Sequence, residues 1–458
     1  MSTTCSPDNL HAVFKAYDVR GVVPDQLDEE LARATGRAYV EVLGVDALVI
    51  GYDMRPSSPG LAGAFADGAT AAGADVTMIG LASTDQLYFA SGHLGLAGAM
   101  FTASHNPAQY NGIKLCRSHA QPVGMESGLA EIRDRVAAGA GSAATLRAGS
   151  IREHDVLQAY AAHLVSLAPV KGRPLKVVVD AGNGMAGHTA PAVFERLEEQ
   201  VTLVPMYFEL DGTFPNHEAN PIDSPNLVDL QRRVRAERAD VGLAFDGDAD
   251  RCFLVDERGE VVAPSTLTAL IAARELRKEP GGTIIHNLIT SRSVPEIVTE
   301  LGGKPVRTRV GHSFIKATMA ETNAVFGGEH SGHFYFRDFW RADSGMLAAL
   351  HALAALAEAD QTLSELLTEY ERYAMSGEIN SEVADQEAAL AAIEAAYAGR
   401  DGVTIDRLDG LSVSHHDWAF NVRASNTEPL LRLNAEGKDS TTMAEVRDDV
   451  LAIIRGEK

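Results

Sequence analysis

Short runs rich in Val and Ile alternate along most of this chain with longer stretches whose apolar residues recur at helical spacing. Residues 47–50 read as a strand, followed by a polar turn (Asp53, Arg55, Pro56, Ser57) and a helix over 61–72. Residues 75–79 form a second strand and 175–179 another, the latter leading through a glycine-rich turn into a helix around 190–197. Residues 240–245 run into an acidic loop, 252–255 follow it as a strand, and 282–286 repeat the theme. Near 373–378 the helical pattern stops, and in the tail 418–422 and 430–433 read as strands. Alternating strand and helix predicts βαβ units with mixed, largely parallel sheets, hence an α/β fold with a smaller α+β module at its end.

The 458 residues suit about three domains, or four small ones. An Ala-, Gly- and Ser-rich stretch at 138–144 closes a first unit, and the Arg258-Gly259-Glu260 turn opens a third. The expected organisation is therefore three similar α/β domains, 1–150, 151–255 and 256–370, and an α+β domain, 371–458. The longest apolar stretch, 346–357, is Ala-rich, interrupted by His351 and too short to span a bilayer, so it reads as a buried helix.

Charge and cysteine content narrow the function classes. Forty basic against 63 acidic residues leave a formal charge of −23, which argues against nucleic acid or an anionic membrane as partner. An anionic substrate would need Lys and Arg gathered locally against that background. Cys5, Cys116 and Cys252 are too scattered for a disulfide framework, and the polar start of the chain, with Pro7 and Asp8, is no signal peptide. A reducing, cytoplasmic setting is expected.

Several constellations carry chemistry. Thr102-Ala103-Ser104-His105-Asn106-Pro107 follows an apolar run and precedes Tyr110-Asn111-Gly112-Ile113-Lys114. A serine in such a turn can be phosphorylated or nucleophilic, with His105 and Lys114 as proton acceptor and donor; a plain turn is the bland alternative. Asp246-Gly247-Asp248-Ala249-Asp250-Arg251 puts carboxylates two apart, and in a loop these can share one face. Three hard oxygen ligands suit Mg²⁺, with Arg251 placed for a phosphate. An EF-hand is disfavoured because its glycine position holds Arg251.

Gly182-Asn183-Gly184-Met185-Ala186-Gly187 is formally a dinucleotide fingerprint and equally a tight turn. Glu329, Ser331 and His333 alternate, so an extended segment would offer all three to sugar hydroxyls; His330 and His333 lack further ligands for zinc. Arg423-Ala424-Ser425-Asn426-Thr427 combines one guanidinium with short donors, as a phosphate cradle does.

Taken together, from Tyr17-Asp18-Val19-Arg20-Gly21 to Ser425-Asn426-Thr427, these motifs resemble the α-D-phosphohexomutase superfamily, specifically its bacterial phosphomannomutase/phosphoglucomutase group. The resemblance implies four domains around a central cleft and reversible interconversion of hexose 6-phosphate and hexose 1-phosphate. Ser104 would be the phosphoserine, and Asp246, Asp248, Asp250 and a Ser104 phosphate oxygen would hold one Mg²⁺. Arg251 would contact the phosphoryl group, with His105 and Lys114 as acid and base. Glu329, Ser331 and His333 would hold the sugar, Arg423, Ser425, Asn426 and Thr427 its non-reacting phosphate, and Tyr17, Arg20 and His312 would line the cleft, with Arg309 a further substrate-binding residue. A hexose 1,6-bisphosphate would be both intermediate and activator, and the chain a monomer or homodimer.

Three positions depart from the family pattern. Ala249 stands where glycine is usual, His330 where many relatives carry Met, and Ile289 where the bifunctional enzymes have a lysine, with Arg309 nearby as a substitute cation. The choice between mannose and glucose is therefore not fixed, and phosphoglucosamine mutase is the alternative within the superfamily. Other classes remain comparisons: a haloacid-dehalogenase-like phosphatase using Asp246, a non-catalytic sugar-phosphate binder, and a dinucleotide oxidoreductase.

Overall fold

The apolar runs become central strands. Val241–Phe245 is buried along its whole length, as a strand covered on both faces must be. The computed structural model describes residues 3–139, 148–424 and 430–456, without the side chains of Thr3, His312 and Ser313. The chain forms two compact units, one of residues 1–263 and 331–364, the other of 264–330 and 365–458. The expected 138–144 linker falls largely outside the described residues.

The first unit holds two mixed sheets. In one, Ala47–Tyr52 lies between Asp75–Leu81 and Ala97–Phe101, all parallel, and Tyr110–Arg117 returns antiparallel beside Ala97–Phe101. In the other, Val241–Phe245, Leu175–Asp180 and Val201–Met206 are parallel, and Cys252–Asp256 runs antiparallel to Val241–Phe245. The turn at Arg258 and Gly259 closes a hairpin, so Val261–Val262 returns to pair with Leu254 and Val255. In the second unit Thr283–Asn287 pairs parallel with Lys304–Thr308 and Phe326–Gly328. Its tail sheet is wholly antiparallel, in the order Ala374–Glu382, Leu430–Gly437, Trp418–Ala424, Leu411–Ser414, Thr404–Asp406.

Helix starts differ from expectation where turn chemistry allows an earlier first turn. Ser58–Ala71 begins before Leu61 because Pro59 is tolerated in a first turn. Ala186–Phe194 starts directly after the glycine-rich turn, and Glu195–Leu197 continues it as a 3₁₀ turn. Gly345–Glu358 is the expected buried helix, capped by Ser344, whose Oγ accepts from Leu347 N. Among the described residues no helix is long and apolar enough to cross a membrane.

Asp85 ties three segments of the first unit together. Its fully buried carboxylate accepts hydrogen bonds from the hydroxyls of Ser83, Tyr160 (2.8 Å) and Ser344 (2.6 Å). Burial pushes this carboxyl up to about 7 from an ordinary 3.8, the three hydroxyls offsetting only part of the cost. The folded chain thus holds this proton more tightly than the unfolded one. Stability is greatest below the lower value and falls as pH rises through the window between the two. Asp85→Asn has no proton to lose. From pH 5 to pH 8 the variant is expected to gain about 2–3 kcal/mol relative to the parent chain, read from chemical-denaturation midpoints at both pH values.

Candidate active site

Ser104 sits just past the buried strand Ala97–Phe101, where the chain turns before returning as Tyr110–Arg117. Its backbone is left-handed, with φ of +49°, which costs a non-glycine residue about 1–3 kcal/mol unless its surroundings impose it. Thr102 Oγ1 accepts from Ser104 N at 2.9 Å, and Ser104 is 3% exposed. The returning strand brings Lys114 to the same place.

The acidic loop follows Val241–Phe245 and buries all three of Asp246, Asp248 and Asp250. Ser104 Oγ donates to Asp246 Oδ2 at 2.8 Å. Lys114 Nζ lies 2.7 Å from Asp248 Oδ2 and 2.6 Å from Asp250 Oδ2, and Thr84 Oγ1 donates to Asp248 Oδ2 at 2.6 Å. Gly247 is required by closeness: a Cβ there would come within 2.5 Å of Ser104 O. Ala249, at φ of +60°, holds the left-handed conformation that glycine adopts freely.

Burial and then the neighbouring carboxylates push Asp246 well above the usual carboxylate range. Burial acts the same way on Asp248, but the Lys114 ammonium and its hydrogen bond more than offset it and hold Asp248 below that range. Lys114 itself is driven well above the usual lysine value: burial opposes its charge, and Asp248 and Asp250 outweigh burial. Asp248 Oδ1 and Asp250 Oδ1 are buried without a hydrogen-bond partner. Orphaned carboxylate oxygens beside a repelling third carboxyl are a donor set that fits a hard divalent cation.

Arg251 Nη2 is 2.5 Å from His105 Nδ1 and 3.4 Å from Ser104 Oγ. Arg251, and then burial, depress the His105 ring to about 2. His105 is therefore neutral at ordinary pH, and with Nδ1 accepting from Arg251 its proton is on Nε2. Arg20 donates to Ala103 O at 3.1 Å and Asn106 Oδ1 at 2.5 Å and pairs with Asp18; Tyr17 lies half-exposed in the same bend. His333 Nδ1 meets Ser331 Oγ at 3.1 Å, and its Nε2 lies 3.6 Å from Asp250 Oδ1 and 4.0 Å from Asp343 Oδ2.

The remaining expected residues lie in the second unit or outside the described residues. Residues 329–333 do not form the expected extended segment: a turn at His330 and Ser331 breaks the alternation, as Gly332 with its φ of +86° permits. Glu329 is buried and accepts from Gly311 N at 3.2 Å and Asn287 Nδ2 at 3.3 Å. Arg309 is exposed and lies over the Phe314 ring. Arg423 faces Arg432 across two strands, and the two share the Glu378 carboxylate. His312 opens the helix His312–Thr322, its side chain undescribed; Ser425, Asn426 and Thr427 lie outside the described residues.

The Gly182 turn is not a cofactor fingerprint but a packing site. Met185 N donates to Gly247 O at 2.9 Å, and a Cβ at Gly184 would come within 2.7 Å of that oxygen. Two residues escaped the motif reading. Thr84 ties Asp248 to the start of the helix Thr84–Leu94, and nothing in its sequence neighbourhood signals this. Arg55, read only as part of a polar turn, is fully buried and bonds the backbone of the Ser104 loop. A long cation between Asp53 and Pro56, directly after a buried strand, was the available signal.

Family models described as phosphoglucomutase/phosphomannomutase alpha/beta/alpha domains I, II and III match residues 11–141, 158–259 and 264–373, and the model of the C-terminal domain matches 378–453. A phosphomannomutase of Salmonella montevideo is 42% identical over 441 residues, 95% of this chain and 96% of its own length. A Xanthomonas campestris protein named phosphohexose mutases is 41% identical, covering 97% of this chain and 99% of its own. A crystal structure of a Burkholderia thailandensis phosphoglucomutase/phosphomannomutase family protein superposes with a TM-score of 0.88 at 33% identity, covering 100% of this chain and 98% of that one.

The orphaned oxygens imply a measurable cation site. Asp248→Asn is expected to weaken Mn²⁺ binding at least about tenfold, read by electron paramagnetic resonance titration of free Mn²⁺. Unchanged affinity would remove this loop as a metal site.

Proposed function

The chain belongs to the phosphoglucomutase/phosphomannomutase family, and we propose that within it this enzyme is a phosphomannomutase working through phospho-Ser104. The observation that carries the reading is Ser104 Oγ, 2.8 Å from Asp246 Oδ2 and 3.4 Å from Arg251 Nη2, at the edge of three buried carboxylates. The name of the Salmonella montevideo relative, 42% identical, supports mannose as the sugar. A cytoplasmic setting fits three free, buried cysteines.

The P–O bond of phospho-Ser104 breaks as the free hydroxyl of a hexose 1- or 6-phosphate attacks phosphorus, giving a hexose 1,6-bisphosphate and the Ser104 hydroxyl. After the bisphosphate turns over, its other phosphate returns to Ser104 and the isomeric monophosphate leaves. Mg²⁺ held by Asp246, Asp248 and Asp250 would supply charge neutralisation at the transferring group. Arg251 offers its Nη2 to the equatorial phosphoryl oxygens, the positioned-cation role such transfers need.

Lys114, kept protonated by Asp248 and Asp250, acts as a donor rather than a base. His105, neutral with its proton on Nε2, donates as well. Glu329, Ser331 and His333 hold the sugar hydroxyls. By the family resemblance, Arg423, Ser425, Asn426 and Thr427 are assigned to the non-reacting phosphate, and Tyr17, Arg20, Arg309 and His312 to substrate binding. An initial charge of 1,6-bisphosphate loads Ser104.

Ser104→Ala is expected to lose more than about a thousandfold in turnover while still binding hexose phosphate by calorimetry. Near-normal turnover would sink the phosphoserine route. With Mg²⁺ and trace 1,6-bisphosphate, mannose 1-phosphate should turn over at least as well as glucose 1-phosphate. Turnover of glucosamine phosphate alone would overturn the mannose assignment.

A further inference from the structure

We infer that Arg55 is a positioning residue, whose guanidinium gathers the carbonyls of the Ser104 loop and so aims Ser104 Oγ at the acidic loop. The inference rests on the reading of Ser104 as phosphoryl carrier. Arg55 is 1% exposed, and each of its five N–H donors is used. Nη2 donates to Ser104 O at 3.0 Å and Asn106 O at 2.6 Å; Nη1 donates to Pro107 O at 2.9 Å and Tyr110 O at 3.0 Å. Nε turns back to Asp53 Oδ2 at 3.2 Å, and Asp53 Oδ1 accepts from Arg55 N at 3.0 Å and Ser58 Oγ at 2.5 Å.

Asp53 is fully buried, so the pair supplies its own counter-charge and the guanidinium is free to serve the loop. Four carbonyls between Ser104 and Tyr110 converge on one planar cation, which defines the path of that segment. Ser104 itself takes the left-handed φ of +49° while its carbonyl is held at both ends: Arg55 Nη2 bonds it and Gly247 closes over it, a Cβ there falling within 2.5 Å.

The clamp is roofed from the second sheet's side. The Phe214 ring lies 5.1 Å from Arg55 Cζ, and a Cβ on Gly212 would come within 2.6 Å of Arg55 Cα. Arg55 thus packs between the phosphoserine loop and the 212–214 loop that follows the strand Val201–Met206. Lysine cannot replace it: a single ammonium with three donors does not reach four spread carbonyls.

The experiment compares the full-length enzyme with Arg55→Lys and, as a milder second variant, Phe214→Leu. For Arg55→Lys, kcat with mannose 1-phosphate should fall at least about a hundredfold, with KM within about threefold of the parent. Mass spectrometry should show Ser104 loading from hexose 1,6-bisphosphate slowed in the same proportion. Mn²⁺ affinity should be unchanged, which a general loosening of the fold would not leave intact. Phe214→Leu should shift kcat the same way by about tenfold, and it carries the test if Arg55→Lys does not fold. The inference is overturned if a folded Arg55→Lys keeps kcat within threefold, if the loss lies in KM alone, or if Phe214→Leu is silent. A parent enzyme that neither turns over hexose phosphate nor takes label on Ser104 overturns the functional reading instead.

Discussion

Asp246, Asp248 and Asp250 share one buried loop, and their mutual repulsion is the constraint around which the first unit is arranged. Three anions in a poorly solvated place persist only if cations and donors are delivered to them. Lys114 comes from the strand Tyr110–Arg117, Arg251 from the loop itself, and Thr84 from the N-terminus of the helix Thr84–Leu94. Even so, the outer oxygens of Asp248 and Asp250 stay orphaned. A site so nearly, but not fully, neutralised is suited to a divalent cation and to the charge of a phosphoryl group in transit.

Much of the surrounding architecture serves that arrangement. The glycine-rich turn at Gly182 exists so that Met185 N can reach Gly247 O, and Gly247 is bare so that the Ser104 carbonyl can close upon it. Arg55 then holds the same carbonyl from the other side. The same economy appears at Asp85, beside Thr84, where one buried carboxylate collects hydroxyls from three segments. Its raised pKa is the electrostatic cost of a joint made without a cation.

The general acid/base question is sharpened by the same geometry. His105 and Lys114 enter with equal standing as proton-transfer groups, yet their surroundings differ in sign. Arg251 pins His105 as neutral, while two carboxylates pin Lys114 as charged. Both are donors in this arrangement, and His333 faces carboxylates too, those of Asp250 and Asp343.

The sequence by itself determined the α/β class, the main strands and the chemistry-bearing motifs. Those depend on local pattern: apolar runs of strand length, glycine at tight turns, and carboxylates at a spacing only a loop can use. It also carried the family resemblance, because separated motifs in a fixed order are specific even when each alone is an ordinary turn. What only the tertiary structure decided was which groups meet. The Glu329 segment turns at His330 rather than extending, because Gly332 adopts a conformation the alternation does not encode. Thr84 and Arg55 act through partners 164 and about fifty residues away, at Asp248 and the Ser104 loop, so local pattern leaves Thr84 unmarked and shows Arg55 only as a cation in a turn. A side chain's charge is written in the sequence; the field that sets its protonation and its aim comes from residues brought close only by folding.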